Sequence, residues 1–272
     1  MRHHFTVDVE EYFQVSAFEP LLARSTWDRL ESRIVPTMTE LLALLEEWEI
    51  KGTMFILGWL AKRHPALIRQ IAAAGHEIAS HGWDHRRIPV QGVNEFRDSV
   101  RRTKHLLEDL SGAPVVGFRA PSFSITQGFE WALDVLVEEG HLYDSSLFPI
   151  WRPGYGYAGG AIDPYQLELP VGKLLEFPPA TLRRLGINLP AGGGGYLRIL
   201  PYQLIRLAIL EAEARGAPAT IYIHPWEIDP DQPRLSAPWH VRWRHYMGLG
   251  RTIPRLRQLF SEFSFQPISA SL

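Results

Sequence analysis

The chain has 272 residues, enough for one sizeable α/β domain or for two small ones. Its hydrophobic fraction of 46% and charged fraction of 21% are ordinary for a globular protein, and a net charge of -2 gives no electrostatic basis for binding nucleic acid. Because the chain has no cysteine, disulfides and thiolate metal ligands are excluded, and any bound metal must be held by histidine and carboxylate.

The predicted elements alternate between short apolar strands and amphipathic helices. Because no glycine-rich dinucleotide fingerprint occurs, this alternation favours a (β/α) barrel over a doubly wound sheet. The predicted strands are HFTVDV (4–9), GTMFIL (52–57), HEIASH (76–81), PVVGFRAP (114–121), a short strand at 141–145 and ATIYIH (219–224). The predicted helices cover 36–50, 60–75, 94–112, 127–140, 202–216 and about 250–262, while 149–195 is predicted to be rich in loops.

The start of the chain and its hydropathy bear on location. No apolar run is long enough to span a membrane, so no transmembrane segment is predicted. The opening residues, MRHHFTVDVEEYF, lack the apolar region of a secretory signal. We therefore expect a cytoplasmic protein that works near the inner face of the membrane, and the sequence gives no indication of its oligomeric state.

Polar residues collect at the carboxyl ends of the predicted strands. In a parallel barrel these ends meet at one rim, where active sites are built. Their shared position predicts a single site. The residues concerned are Asp8, Glu10, His81, His85, Arg119, Asp144 and His224.

The stretch SHGWDH (80–85) indicates a metal site. His81 and His85 are four residues apart, so both imidazoles can reach one ion if the backbone turns helically there. Glu10 is the predicted third ligand, because it shares a strand face with Asp8 and the two carboxylates would repel each other without a cation. This His₂–carboxylate set leaves open positions for water.

The remaining rim residues suit acid–base chemistry. Asp8 is left free by the predicted metal set and is a candidate general base. Arg119 ends an apolar strand and needs a carboxylate partner, for which Asp8 is the natural choice. His224 is either a hydrogen-bonded core residue or, from its place across the rim from Asp8, a general acid.

The order of these motifs resembles that of the NodB-homology polysaccharide deacetylases, carbohydrate esterase family four. The matching segments are TVDVE (6–10), SHGWDH (80–85), RAPSF (119–123) and IYIH (221–224), and the resemblance covers about residues 4–228. TVDVEEYFQV, AGGGGYLR and IHPWEIDP are similar to the branch associated with exosortase/PEP-CTERM exopolysaccharide gene clusters. The tail resembles that branch's extension, so we expect a barrel over 1–228 and an extension over 229–272 packed on it.

The resemblance implies a distorted (β/α) barrel with seven strands and a divalent metal, either zinc or else Co²⁺, Mn²⁺ or Ni²⁺. It implies removal of N-acetyl groups from a polysaccharide or its precursor, free or lipid-linked, in exopolysaccharide biosynthesis. By the same resemblance Asp8 would be the base and His224 the acid. Arg119 would orient Asp8, and His81 and His85 would bind the metal.

The chain departs from the family at its first motif. The family has two adjacent aspartates, the second of which binds metal, whereas Val9 stands at that position here. Glu10, displaced by one residue, takes the metal role in this interpretation, and Glu11 is the alternative.

The substrate side of the site follows from the same motifs. The backbone N–H of Ser122 is the predicted oxyanion donor beside the metal, and Ser122 and Phe123 replace a common aromatic–glycine pair, which changes the groove. Trp83 and Trp226 flank the rim and are predicted to stack on sugar rings. Asp144 either tunes His224 or caps a turn.

Two other functions are compatible with the sequence. A metal-independent, allantoinase-like amidohydrolase would share the barrel and differ at the first motif, and metal content separates it from a deacetylase. A catalytically silent carbohydrate-binding protein would bind glycans without releasing acetate. The glycine run in AGGGGYLR (191–198) is interpreted as a mobile or tightly packed loop rather than an anion site.

Overall fold

A parallel sheet forms the centre of the computed structural model, which describes residues 1–152 and 154–272. Two further strands extend it, so that within the described residues the sheet has nine strands, seven of them on its parallel path. β6 (Tyr165–Leu169) pairs antiparallel with β7 (Gly172–Glu176), and β11 (Ser264–Gln266) pairs with β1 (Arg2–Val9). The parallel path runs, in spatial order, through β10 (Thr220–Ile223), β1 (Arg2–Val9), β2 (Thr53–Ile56), β3 (Glu77–Ser80), β4 (Gly117–Phe118), β5 (Tyr143–Asp144) and β7 (Gly172–Glu176).

The two ends of this path meet, which closes the sheet. After β7 the chain runs parallel to β10, with a bridge between Pro179 and Thr220. The N–H of Ala180 donates to the carbonyl of Thr220 at 2.9 Å. The predicted α/β fold with a parallel barrel sheet is thereby confirmed.

Helices surround the barrel and bury its apolar outer face. One side of helix α1 (Ile34–Glu47) carries Met38, Leu41 and Leu45. These side chains pack in the same core as Val7 and Val9 of β1. No helix in the described ranges 1–152 and 154–272 has both the length and the apolar character needed to cross a membrane. The helices are α1 (Ile34–Glu47), α2 (Gly58–Arg63), α3 (Pro65–Ala73), α4 (Val93–Ser111), α5 (Trp131–Glu138), α6 (Gly195–Ile199), α7 (Tyr202–Ala214), α8 (Trp239–Tyr246) and α9 (Thr252–Glu262).

The single helix predicted over 60–75 is wrong, because α2 ends at Arg63 and α3 begins at Pro65. Proline cannot donate a backbone hydrogen bond and disfavours a helical conformation in the residue before it. His64 accordingly has φ -124° and ψ 56°, outside the helical region.

The predicted loop over 149–195 is also wrong in part, because it contains four strands. β6 and β7 pair in one hairpin, and β8 (Thr181–Arg184) pairs with β9 (Ile187–Pro190) in another. Leu185 and Gly186 turn the second hairpin with φ of 50° and 79°. These short strands are largely half-buried or exposed, so they lack the apolar runs that revealed the barrel strands.

Candidate active site

Four barrel strands end at the same rim and deliver predicted site residues there. Glu10 follows β1, His81 follows β3, Arg119 follows β4 and His224 follows β10. Because these strands are parallel, their carboxyl ends lie on one side of the barrel. The structure therefore brings these side chains into one cluster.

Glu10, His81 and His85 form a group with the composition of a metal site. One ligand atom from each residue lies within 4.8 Å of the other two. The side chains are almost fully buried, with residue exposures of 1%, 1% and 4%. Two imidazoles and a carboxylate are a donor set that zinc accepts in catalytic sites.

His81 is held in the tautomer that a metal ligand requires. Its Nδ1 donates to the carbonyl of Arg119 at 2.8 Å, which leaves the lone pair of Nε2 free. Burial lowers the pKa of His81 to about 4, so the imidazole is neutral over the ordinary pH range.

The segment between the two histidines is a loop, and the expected helical turn is absent from this described stretch. Gly82 has φ 73° and His85 has φ 56°, so the backbone reverses through left-handed residues. The N–H of Trp83 donates to Ser99 Oγ at 3.0 Å, which ties the loop to α4. His81 and His85 thus converge by a different backbone path from the predicted one.

Glu10 has a free carboxylate oxygen that fits a cation. Its Oε1 accepts from Trp226 Nε1 at 3.1 Å. Its Oε2 is 2.8 Å from His85 Nε2, yet within the described chain this buried oxygen has no hydrogen-bond partner. Burial raises the pKa of Glu10, but the neighbouring imidazoles of His85 and His224 outweigh it and lower the pKa to about 2. The carboxylate is therefore anionic, as a metal ligand must be.

Glu11, the alternative third ligand, points elsewhere. Its carboxylate accepts from the backbone N–H groups of Arg33 at 3.1 Å and Ile34 at 3.3 Å, and from Ser32 Oγ. It thus binds the free N–H groups at the start of α1. The alternation of side chains along the β1 end explains why Glu10 and Glu11 face opposite ways.

Asp8 is paired with Arg119, as the sequence predicts. Arg119 Nη1 donates to Asp8 Oδ1 at 2.8 Å and to Thr6 Oγ1 at 2.7 Å. The other guanidinium nitrogens donate to the carbonyl and hydroxyl of Ser145 at 3.1 and 2.7 Å. Since Arg119 is fully buried, these bonds compensate the removal of its charge from water. Asp8 Oδ2 remains directed to the site, 3.9 Å from His224 Nε2.

His224 is held from behind by a buried carboxylate. Its Nδ1 lies 2.6 Å from Glu227 Oε1, and Glu227 Oε2 accepts from Arg198 Nε at 2.6 Å. Arg198 is 2% and Glu227 is 0% exposed. Burial lowers the pKa of His224, but Glu10 and then Glu227 outweigh it and raise the pKa to about 9. Its Nε2 faces the site, 3.7 Å from Glu10 Oε1.

Trp226 lies inside a stack of three aromatic rings. Its indole packs on His224 at 5.1 Å and 22°, and on His245 at 4.2 Å and 19°. Trp226 is 6% exposed, so its two faces are covered by imidazoles. Its predicted contact with sugar stays a prediction, while its observed contacts support Glu10 and His224.

Ser122 and Phe123 lie in a tight turn after β4. Both residues have positive φ, 56° and 51°. Ser122 Oγ is 2.6 Å from Ser16 Oγ, and the ring of Phe123 packs on Tyr222 at 4.9 Å. Phe123 is buried and Ser122 is half-buried. Their predicted roles toward the substrate stay predictions.

Trp83 and Asp144 contact neighbouring parts of the fold. The guanidinium of Arg102 lies 3.4 Å from the ring centroid of Trp83, so one face of the indole is covered. Asp144 is fully buried, and its carboxylate accepts from the hydroxyl of Ser146 at 2.6 Å and from its N–H at 3.1 Å. Burial raises the pKa of Asp144 to about 6, and Glu176 lies opposite it on the neighbouring strand β7. The carboxylate that contacts His224 is Glu227.

Glu227 and Arg198 are the site residues that the sequence analysis missed. Glu227 carried a signal, because an acid three residues after a candidate catalytic histidine in the segment IHPWE can fold back onto it. Arg198 carried none, since it lies 29 residues before Glu227 and follows a glycine run.

Two family models match this chain. Residues 22–135 match the model described as polysaccharide deacetylase, and residues 145–272 match a domain of unknown function, DUF3473. The first match contains SHGWDH and RAPSF, and the second contains IYIH with Glu227 and Arg198.

Among curated proteins, the chain is similar to bacterial and fungal deacetylases over about a third of its length. A peptidoglycan-N-acetylglucosamine deacetylase of Bacillus cereus is 28% identical over 35% of this chain and 35% of its own. The peptidoglycan deacetylase-like protein FGM2 of Gibberella zeae is 34% identical over 36% and 28%. The chain thus spans about a third of these relatives.

Solved structures resemble the chain over nearly its full length. A structure assigned as a polysaccharide deacetylase from Mycobacterium smegmatis has a TM-score of 0.64 at 23% identity, covering 97% of this chain and 86% of its own. PuuE allantoinase has a TM-score of 0.60 at 19% identity, with coverages of 97% and 85%. These likenesses establish the shared fold.

Proposed function

We propose that this chain is a metal-dependent hydrolase that removes N-acetyl groups from a polysaccharide or its precursor. The matching family model and the relatives support its place in the NodB polysaccharide deacetylase family. The observation that carries the proposal is the buried Glu10–His81–His85 group, with a paired carboxylate and a paired imidazole at its side. The names of the deacetylase relatives support the N-acetylated glycan as the substrate class.

The metal would be held by Glu10 Oε2, His81 Nε2 and His85 Nε2. A divalent ion bound there, zinc in this proposal with Co²⁺, Mn²⁺ or Ni²⁺ as alternatives, would polarise the acetamide carbonyl and lower the pKa of a bound water. The anionic state of Glu10 and the neutral state of His81 support such binding.

Asp8 would act as the general base. Arg119 fixes Asp8 Oδ1, which leaves Oδ2 to accept the proton of the attacking water. Because the guanidinium also binds Thr6 and Ser145, Asp8 cannot rotate away without breaking a buried charge pair.

His224 would act as the general acid. The departing amine needs a proton, and His224 Nε2 faces the same space as Asp8 Oδ2, 3.9 Å away. Glu227 would hold the proton on Nδ1, which fixes the ring orientation. The backbone N–H of Ser122 is the proposed donor to the carbonyl oxygen as charge develops there.

The Glu10–His81–His85 group bears on the choice between the proposed function and the two alternative functions. A complete His₂–carboxylate set supports the metal-dependent hydrolase over a metal-independent amidohydrolase. The similarity to allantoinase concerns the fold and does not separate the two. A silent carbohydrate-binding protein would have no use for the buried pairs that hold Asp8 and His224.

Finer features of the proposal come from the sequence motifs. We propose a role in exopolysaccharide biosynthesis within the exosortase-associated branch, action on a free or lipid-linked precursor, and a cytoplasmic location. The division into 1–228 and 229–272 is likewise proposed. Pairing of β11 with β1 supports the packing of the extension on the barrel.

Metal analysis of the purified protein tests the proposal most directly. We expect about one divalent ion per chain in the wild type and its loss in His81→Ala/His85→Ala, because two of three ligands are removed. Acetate release from N-acetylated glycans should be lost with the metal. Asp8→Asn should keep the metal and lose activity on the order of 10²–10⁴-fold.

The matched control is His105→Ala/His240→Ala, which removes two exposed histidines outside the site. It should retain both metal and activity. If the wild type binds no metal, or if Asp8→Asn keeps full activity, the proposed mechanism is wrong.

A further inference from the structure

One side of α8 presents aromatic and cationic side chains to solvent. Arg242 and Trp243 each lie three or four residues from both Trp239 and Tyr246, so the four side chains share one helix face. Trp239 is 79% and Trp243 55% exposed, and the guanidinium of Arg234 lies 4.3 Å from the ring centroid of Tyr246. These five residues, called here the α8 face, line an open cleft of about 350 Å³. Exposed apolar surface of this kind indicates a binding partner.

The segment that contains the α8 face carries charged side chains of one sign only. Residues 232–261 contain six arginines and no aspartate or glutamate, although the whole chain has a net charge of -2. In the described part of the chain, Arg234, Arg242 and Arg244 form no ion pair with a carboxylate. The partner that complements this surface is therefore anionic.

The helix α8 itself packs against the candidate active site. On the buried side of α8, His245 stacks on Trp226, which in turn stacks on His224. Arg198 donates to the carbonyls of His245 at 2.9 Å and Met247 at 2.7 Å, which fixes the end of the helix. The helix that carries the α8 face is thereby packed against the residues that hold His224.

We infer that the α8 face binds an acidic glycan, whose carboxylated sugars lie along α8 while an acetylated sugar of the same chain reaches Glu10, His81 and His85. Sugar rings stack on indoles through their flat apolar faces, and arginine binds carboxylates in a bidentate manner. Tryptophan and arginine side chains also bind lipid headgroups, so anionic lipid vesicles are the competing partner that the binding test must separate from the glycan. The inference rests on the proposed function and narrows its substrate to a polymer with carboxylate groups.

Binding of two hexasaccharides tests this inference. We expect the wild type to bind an alginate hexasaccharide, with a carboxylate on every ring, about tenfold or more tightly than a neutral chitin hexasaccharide at low ionic strength. Added salt should remove most of this preference. Calorimetric titration of the His81→Ala/His85→Ala variant with the two hexasaccharides measures the same affinities without any contribution from bound metal or turnover.

Variants separate the two contributions of the α8 face. Trp239→Ala/Trp243→Ala should weaken the binding of both hexasaccharides about tenfold, because stacking on the indoles is lost. Arg234→Gln/Arg242→Gln should abolish the preference for alginate and its salt dependence. The control Leu185→Ala/Arg69→Gln removes an equally exposed apolar and cationic pair elsewhere and should change neither.

Several results would overturn the inference. Equal affinity for the two hexasaccharides would do so, as would unchanged binding in the two α8 variants. Tighter binding of a single-stranded oligonucleotide or of anionic lipid vesicles would identify another partner. Conversion of a dimer to a monomer by Trp239→Ala/Trp243→Ala would identify a second copy as the occupant.

The same measurements distinguish failure of this inference from failure of the proposed function. Alginate binding without acetate release from any N-acetylated glycan would leave the α8 face as a glycan site and reject the deacetylase. Acetate release without a preference for acidic glycans would retain the deacetylase and reject the α8 face.

Discussion

His224 and Asp8 owe their positions to two buried arginines. Arg119 binds Asp8, and Arg198 binds Glu227, which binds His224. A buried guanidinium is stable only when its donors are satisfied, so each arginine requires its carboxylate and each carboxylate is held rigidly in return. The two side chains that are proposed to act on protons are thereby fixed by charged partners behind them.

Glu227→Gln tests whether this arrangement matters for turnover. The amide has one oxygen for two partners, so His224 and Arg198 cannot both keep their bonds. We expect turnover to fall about 10–100-fold, as for other residues that orient a reacting side chain. In a His224→Ala background the same change should have little further effect, because Glu227 acts through His224.

Asp231→Asn is the control, since it removes an exposed carboxylate from the same segment. It should leave turnover and the urea midpoint unchanged. A fully additive effect of Glu227→Gln in the His224→Ala background would assign Glu227 a structural role instead.

Among elements, the glycine run in AGGGGYLR is packed tightly beside β10. A Cβ at Gly193 would lie 1.7 Å from the carbonyl oxygen of Tyr222. The backbone pairs there, with Tyr222 N donating to Gly192 at 2.7 Å and Gly194 N donating to Tyr222 at 3.0 Å. Glycine thus lets the loop join the strand that ends at His224, which agrees with the packed-loop interpretation.

Gly193→Ala should be strongly destabilising. The added methyl group must displace backbone from backbone, and we expect a loss of about 3 kcal/mol in the free energy of unfolding. Urea unfolding measures this loss. Gly216→Ala is the control, because Gly216 also has positive φ, at 77°, but has open space around it. It should cost only about 1–2 kcal/mol, the price of a left-handed alanine.

A Gly193→Ala protein as stable as Gly216→Ala would show that the loop can move away from β10. The sequence alone could not separate these cases, because the glycines differ only in what packs against them. The sequence alone also could not predict α8 and the hairpin strands, because their exposed faces gave weak hydrophobic periodicity.

For the whole molecule, a pair of buried acids on the neighbouring strands β5 and β7 couples stability to pH. Asp144 and Glu176 are fully buried and lie opposite each other on paired strands, so a proton on one of them relieves the repulsion between two carboxylates. Burial raises the pKa of Asp144 to about 6, and burial together with the neighbouring Asp144 raises the pKa of Glu176 well above its ordinary value. Between the ordinary carboxyl pKa and these raised values, the folded state holds more protons than the unfolded state.

Stability from this pair is therefore present at low pH and is lost as the pH rises through the raised pKa values. The loss is on the order of 1 kcal/mol for each unit by which a pKa is raised. Glu176→Gln removes one of the titrations, so its stability relative to the wild type should improve from pH 5 to pH 8. Urea unfolding across this range measures the difference.

Glu40→Gln, an exposed change on α1, should show no such trend. A parallel pH dependence of Glu176→Gln and the wild type would contradict the pair's role. Comparing variant with wild type cancels the buried histidines, whose lowered pKa values give the opposite slope.

The sequence by itself determined the barrel and the polar rim, because the periodicity of apolar residues and the residues at strand ends are local properties of the sequence. Alternation of apolar strands and helices predicted the confirmed fold, and the spacing of Asp8, Glu10, His81 and His85 predicted which side chains would meet. These features need no knowledge of distant contacts.

Only the tertiary structure decided what surrounds those residues. It assigned Glu227 to His224, gave Arg198 to Glu227, and turned Glu11 toward α1. It also packed α8 against Trp226 through His245. Partners far apart in sequence meet only after the sheet has closed, so no local pattern encodes their contact.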